Sequence, residues 1–306
     1  MNVYVDNVNL TSSSGPNSFA RNLCRELGRL GHTVHTSPPT HGVDAQLTFI
    51  QTNNMLSTAK KHVLRLDGIY FNSKSDWRSQ NSLIEKTYNE CDTVVCQTEF
   101  NKRLTEAYFG SHRDVRVINN GTDLETIRAI QPHEALRHLG KKIWCCSSHW
   151  RPHKRLLDDI SYFHEFAPDD HYMIVLGKTS DDVVSFVKSS PVGKRVAFSG
   201  DLSWKECISI YKSCDTFVHL AYLDHCPNVV VDARASGCKI VVSSTGGTKE
   251  VAGRGAILIE EDEWDFRPID LYSPPKMDFS RRSVNVIDSS VDVIVAASKY
   301  VDAMTS

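Results

Sequence analysis

The chain has 306 residues, 41% of them hydrophobic and 24% charged, enough for about two domains and outside the composition of disordered chains. Its 35 Lys and Arg against 37 Asp and Glu give a formal net charge of −2, which excludes a nucleic-acid surface built from bulk positive charge but leaves a local basic pocket open. No apolar run approaches the roughly 18–20 residues that span a bilayer, and nine cysteines without a Cys-x-x-Cys spacing read as buried small hydrophobes rather than a disulfide framework.

Met1–Asp6 reads at once as a strand, with neither a basic head nor an apolar leader, so a cytoplasmic location is expected. Phe19, Leu23, Leu27 and Leu30 then fall at helical spacing, and Gly31 stops that helix. Further strands are predicted over 46–50, 62–66, 93–96 and 115–118, with helices over 79–90 and 99–108. A polar stretch over 121–140 follows, and the rhythm restarts. Strands are expected over 143–147, 172–176, 195–198, 216–220, 239–242 and 256–259, with helices over 155–166, 181–188, 203–213 and 228–236. Strand–helix alternation implies parallel strands with helices on both faces, because each parallel pair needs a crossover. The fold class is therefore α/β, with two open lobes, and ligands in such sheets bind beyond the carboxyl ends of the strands. The cleft between the lobes is the expected site. Residues 270–282 contain Pro274-Pro275 and read as an extended connector, and 286–300 read as a terminal helix carrying Ile287, Val291, Ile294 and Val295.

Several catalytic signatures are absent. There is no Gly-x-Gly-x-x-Gly, no Gly-x-Ser-x-Gly, no His-Glu-x-x-His and no Asp-x-Asp pair to hold a divalent cation on a diphosphate. Gly177-Lys178-Thr179 ends like a P-loop, but Tyr172 occupies the place of its first glycine. No metal site is expected. The segment from Tyr222 to Val242 is more informative. A strand ends near Leu220, a short loop carries Asp224, and Pro227 suits a helix start. The helix that follows points its unpaired N–H groups and positive dipole end, at Pro227, Asn228 and Val229, into the cleft as an anion site. Asp232 sits on that helix, placed to accept hydrogen bonds from ribose hydroxyls, and Gly237 stops it. Without further context, Asp224 reads equally as a helix-start residue and Asp232 as a surface charge.

Asp224 and Asp232, with Ala233, Ala235, Gly237 and the turn Ser244-Thr245-Gly246-Gly247-Thr248-Lys249-Glu250, resemble the carboxylate-x7-carboxylate motif and Gly-Gly-x-x-Glu turn of retaining glycosyltransferases of the GT-B fold. The resemblance is to glycosyltransferase family 4 (glycosyl transferases group 1), in which both carboxylates are usually glutamates. Gly15-Pro16 resembles the family's glycine-rich amino-terminal loop, although Ser12-Ser13-Ser14 precedes a single glycine. Asn120-Gly121-Thr122-Asp123 resembles the segment closing the first lobe, and Arg151-Pro152-His153-Lys154-Arg155 the basic pair of the second.

The resemblance implies two facing Rossmann-like domains, one of residues 1–130 with 286–306 and one of 140–285. It also implies that the terminal helix packs back on the first lobe, with a hinge around 270–285. Arg151 and Lys154 would clamp the donor diphosphate, with Arg155 able to replace either. Asp224 would hold hydroxyls of the transferred sugar, and Gly15 would leave room for phosphate and acceptor. Arg65 and Asp67 either face the sugar or acceptor or form a structural turn at Asp67-Gly68. The expected activity is metal-independent retaining transfer of a hexose-type sugar from a UDP- or GDP-sugar to an acceptor hydroxyl on a glycan or related molecule. The alternative is an inactive GT-B scaffold that binds nucleotide. The donor and a hydroxyl acceptor are the expected partners, with no nucleic acid, no cofactor, and peripheral membrane contact left open.

Overall fold

The computed structural model describes every residue except Ser13 and Lys141. The first sheet is built from β1 (Asn2–Asp6), β2 (Thr33–His35), β3 (Ala45–Phe49), β4 (His62–Leu66), β5 (Thr93–Cys96) and β6 (Val115–Val117), in the order β2-β1-β3-β4-β5-β6, all parallel. Every residue of β3 and β5 is buried, as expected where helices cover both faces of a sheet. Those helices are α1 (Gly15–Arg29), α2 (Trp77–Glu90), α3 (Glu99–Phe109) and the short α4 (Leu124–Ala129). Pro16 occupies the first turn of α1, where its missing N–H costs nothing, and Thr98 caps α3 by accepting from Asn101 N.

The second sheet contains β7 (Ile143–Ser147), β8 (Tyr172–Leu176), β9 (Val196–Gly200), β10 (Thr216–His219), β11 (Lys239–Ser243), β12 (Ile257–Ile259) and β13 (Arg282–Val284). Its order is β13-β12-β11-β10-β7-β8-β9, parallel except for the edge strand β13. From β9 to β12 this is the doubly wound dinucleotide-fold order, and its direction reverses between β7 and β10. In the first sheet the reversal falls between β1 and β3. Helices α5 (Leu156–Phe166), α6 (Asp181–Lys188), α7 (Trp204–Ser213), α8 (Asn228–Ala235) and α9 (Thr248–Ala252) flank the second sheet. Ser203 and Glu206 close a capping box at the start of α7.

The terminal helix α10 spans Val293–Thr305 rather than beginning at 286. Asp292 caps it, accepting from Ile294 N, and Val286 and Ile287 are exposed. The buried face is also different from the apolar spacing first read. Ala296, Ala297, Tyr300, Ala303 and Met304 pack with Phe19, Leu23 and Leu27 of α1, while Ile294 and Val295 face outward. Small alanines permit a close helix approach that a count of large apolar residues does not register.

The expected hinge around 270–285 is replaced by two neighbouring crossings. Thr122 N donates to Val291 O at 2.7 Å and Val293 N to Thr122 O at 3.1 Å, so the chain passes between lobes side by side with itself. Trp264, Phe266, Ile269 and Leu271 instead pack against Ile69 and Phe71 of the first lobe, together with Tyr222 and Leu223, while Met277 and Phe279 pack on the second.

Candidate active site

The reversal between β7 and β10 brings together the two loops that carry the motif. After β7 the chain passes through Arg151 into a single 3-10 turn, Pro152–Lys154. After β10 it runs through Tyr222 to Asp224 and into α8. Lys154 Nζ lies 2.5 Å from Asp224 Oδ2. His219 Nε2 reaches the same oxygen at 3.0 Å, and His225 N donates to Oδ1 at 2.9 Å. Burial raises the Asp224 carboxyl, but the Lys154 ammonium and the His219 bond outweigh it and hold the group well below the usual carboxylate range. With Asp224 ionised, the buried His219 is the partner that donates. Burial pushes His153 down to about 3 and His225 down to about 4, so both are neutral near pH 7. The positive charge at this end of the cleft therefore rests on Lys154 and Arg151. Arg151 is exposed, and among the described residues its side chain makes no hydrogen bond or ion pair.

The Gly246-Gly247 turn is forced by this arrangement. A Cβ on Gly246, which has φ +69, would overlap the carbonyl oxygen of Asp224, and one on Gly247 would overlap that of His225. The turn's N–H at Gly247 bonds Asp224 O at 2.8 Å.

Pro227 is the N-cap of α8 rather than its first residue, and the N–H groups of Asn228 and Val229 have no hydrogen-bond partner among the described residues. Asn228 faces the first lobe. Its Nδ2 donates to Gly15 O at 3.1 Å, and its Oδ1 accepts from Asn120 Nδ2 at 2.8 Å. One turn further on, Asp232 Oδ2 accepts from Trp204 Nε1 at 2.9 Å. Burial pushes the Asp232 carboxyl up to about 6, against hydrogen bonds from Thr122 and Trp204.

Three expected site residues turn away from this role. Arg155 is buried and pairs in parallel with Glu261, both N–O distances being 2.8 Å, while also donating to Pro275 O. A left-handed backbone at Arg155, φ 52, swings it inward where Lys154 points to the cleft. Arg65 is fully buried between the rings of Phe19 and Phe49, at 4.5 and 4.7 Å, and bonds Asp67 and Asn120. Asp67 accepts from both Arg65 and Gln97, so these two form an internal pair beside the turn at Gly68 rather than a face toward a sugar. They start a hydrogen-bonded chain, Asp67–Arg65–Asn120–Asn228–Gly15, that runs from one lobe to the other.

His219, Trp204 and Glu261 were not singled out from the sequence. Trp204 opens α7 after the capping Ser203, and its bond to Asp232, 28 positions on, carried no signal in the sequence. Glu261 lies 106 positions from Arg155 and carried none. Among the described residues, no group of three or more His, Cys, Asp or Glu is arranged to hold a metal ion, and no helix is long and apolar enough to cross a membrane.

Residues 128–265, which contain β7 to β12 with Lys154, Asp224, the Gly246-Gly247 turn and Asp232, match the family described as glycosyl transferases group 1. The second lobe is similar to the group 1 glycosyl transferases. Among solved structures, the whole chain is similar to HepE of Anabaena in complex with UDP-glucose, with 13% identity, a TM-score of 0.69 and coverage of 100% of this chain and 99% of that one. It is similar to a sucrose-phosphate synthase of Thermosynechococcus elongatus at 12% identity and a TM-score of 0.67, covering 88% and 86%. WaaG, a glycosyltransferase involved in lipopolysaccharide biosynthesis, is 10% identical with a TM-score of 0.63, covering 98% and 95%. The shared architecture is GT-B, two facing Rossmann-like domains. No curated protein sequence matches the chain.

Proposed function

We propose that the protein is a retaining glycosyltransferase that moves a hexose-type sugar from a UDP- or GDP-sugar to an acceptor hydroxyl on a glycan or related molecule, without a metal ion. One observation carries this reading: Lys154, fixed by Asp224, and the unpartnered N–H groups that open α8 converge at the reversal point of the second sheet, opposite Gly15. A departing diphosphate accumulates negative charge while the anomeric carbon becomes oxocarbenium-like, and preorganised donors aimed at that charge lower the barrier. Lys154 and the Asn228 and Val229 N–H groups are those donors, with Arg151 able to join from the rim. Asp224, with three donors already on it, acts as the residue that positions Lys154, and any sugar hydroxyl it holds must use its remaining acceptor capacity. Asp232 receives the ribose hydroxyls. Acceptor attack on the face the diphosphate leaves retains configuration, and lobe contact excludes the water that would hydrolyse the donor.

UDP-glucose, the ligand in the HepE complex, is the first donor to try. The test is release of UDP or GDP from a panel of nucleotide sugars with EDTA present. Turnover that persists under chelation is expected. Activity that vanishes with EDTA and returns with manganese would overturn the metal-free mechanism, and tight nucleotide binding without turnover across many acceptors would establish the inactive scaffold instead.

A further inference from the structure

Asp232 is 9% exposed, and among the described residues no cation pairs with it. Hydrogen bonds alone therefore offset the cost of its charge. Two neutral donors from different elements supply them: Trp204 Nε1, 2.9 Å from Oδ2, and Thr122, at the crossing between the lobes. From α7, the Cys207 thiol and the Tyr211 phenol also face the carboxyl, and burial pushes both up, so both are neutral near pH 7. The charged groups nearby are engaged elsewhere. Glu206 of α7 accepts from Ser203 N, Arg234 of α8 is turned to Asp288 and Ser289, Glu250 of α9 to the start of α3, and Asp123, beside Thr122, to Arg25.

Trp204 holds its donor still. It is the first residue of α7, directly after the capping Ser203, and the box that Ser203 forms with Glu206 fixes the backbone there. Its ring is 37% exposed, so the indole is not buried as deeply as a core aromatic, yet its N–H is spent on Asp232 rather than on water. An ionised carboxylate offers about four acceptor positions. Trp204 and Thr122 take two of them, and two remain, the number that a pair of vicinal ribose hydroxyls requires. Rotation of the carboxylate about its Cβ–Cγ bond would break that match, and the N–H of a rigid ring resists the rotation.

Resting on the reading that Asp232 receives the ribose, we infer that Trp204 is a positioning residue for the donor: its indole N–H fixes the orientation of the Asp232 carboxylate and stabilises its negative charge. The test reads the carboxylate first and the nucleotide second. Carboxyl carbon NMR of the full chain without ligand follows Asp232, whose signal is the one missing in Asp232→Asn. Its midpoint, about 6 in the unaltered protein, moves up by about one pH unit in Trp204→Phe, because a donor to the charged form is lost. The Trp204 indole proton of the unaltered protein titrates with the same midpoint, a measurement that needs no variant and stands if Trp204→Phe does not fold. Calorimetry with UDP then shows Trp204→Phe binding about fivefold more weakly than the unaltered protein at about pH 6 and within about twofold of it at about pH 8, the ionisation of the UDP phosphate cancelling in the ratio. In an Asp232→Asn background the same substitution changes UDP affinity by less than about twofold at either pH. An unmoved Asp232 midpoint, an indole proton that does not follow it, an affinity loss equal at both pH values, or a loss that persists in Asp232→Asn would overturn the inference. A midpoint that moves while Asp232→Asn leaves UDP affinity unchanged shows instead that the ribose placement has failed, and the positioning role falls with it.

Discussion

Asp232 shows what a buried carboxylate costs a fold. Its raised value, about 6 against an ordinary 3.8, means the folded state holds that proton more tightly than the unfolded chain. Stability from this group is therefore full below the ordinary carboxylate range and falls as pH rises through about 6, by about 3 kcal/mol in all. Ribose hydroxyls donate to the charged form, so donor binding should draw the group back down and release a proton. UDP affinity, measured by titration calorimetry, is expected to strengthen between about pH 5 and about pH 7, and to do so less steeply in Asp232→Asn, where only the second ionisation of the UDP phosphate remains. The same variant should melt higher at neutral pH while binding UDP more weakly. Affinity unchanged across that range in the unaltered protein would place the ribose elsewhere.

Lys154 carries the opposite expectation. Lys154→Ala removes the cation from the proposed clamp and leaves a buried, ionised Asp224 with His219 and one backbone N–H. Turnover should fall about 10²–10³-fold, and denaturant melts should show a loss of about 3 kcal/mol. Wild-type kinetics in this variant would move the clamp away from the 3-10 turn. The neighbouring Arg155 shows the limit of reading cations from sequence. Two adjacent basic residues in one turn are equivalent on paper, and a single left-handed φ decides that one meets the cleft and the other meets Glu261.

At the scale of elements, the motif works because backbone, more than side chain, fixes it. The loop after β10, the Gly246-Gly247 turn and the start of α8 lie against one another with no room for an added Cβ. A further tie crosses between lobes from α9. Glu250, the acid of the Gly-Gly-x-x-Glu turn, accepts Glu99 N at 2.7 Å and Phe100 N at 2.9 Å, capping α3 of the first lobe from the second. Thr98 Oγ1 donates to His225 O beside it at 3.1 Å. Glu250→Gln replaces one acceptor by a donor facing an N–H. A loss of about 1–2 kcal/mol is expected, with faster hydrogen exchange confined to the Glu99 and Phe100 amides. Unchanged exchange at those two amides would show that the lobes are not held there.

Across the whole molecule, the parts that local chemistry dictates were legible in the sequence. β4, β5, β7, β8 and α6 fall where strand composition and turn residues put them, because each is a short apolar or amphipathic run bounded by breakers. The positions of Asp224, Lys154 and the α8 start were legible as well, on loops whose spacing the strand–helix rhythm sets, and Asp232 falls on α8 as that spacing implies; their roles rest on the proposed function. What was not legible depends on long-range contacts. The short β2 and the antiparallel β13 exist only because a neighbouring strand supplies their partners. The start of α10 moved because Asp292 offers a cap that outweighs the apolar residues before it. The hydrogen-bonded chain from Asp67 to Gly15 joins five positions scattered over 214 residues, counted from Gly15 to Asn228 inclusive, and Thr122, at the crossing between the lobes, hydrogen-bonds Asp232.

A crystal structure of the protein with UDP tests the central claim most directly. The account predicts the β-phosphate within hydrogen-bond reach of Lys154 Nζ and the Asn228 and Val229 N–H groups, with the ribose on Asp232. A nucleotide seated away from α8, or with its phosphates turned from Lys154 toward bulk solvent, would contradict it.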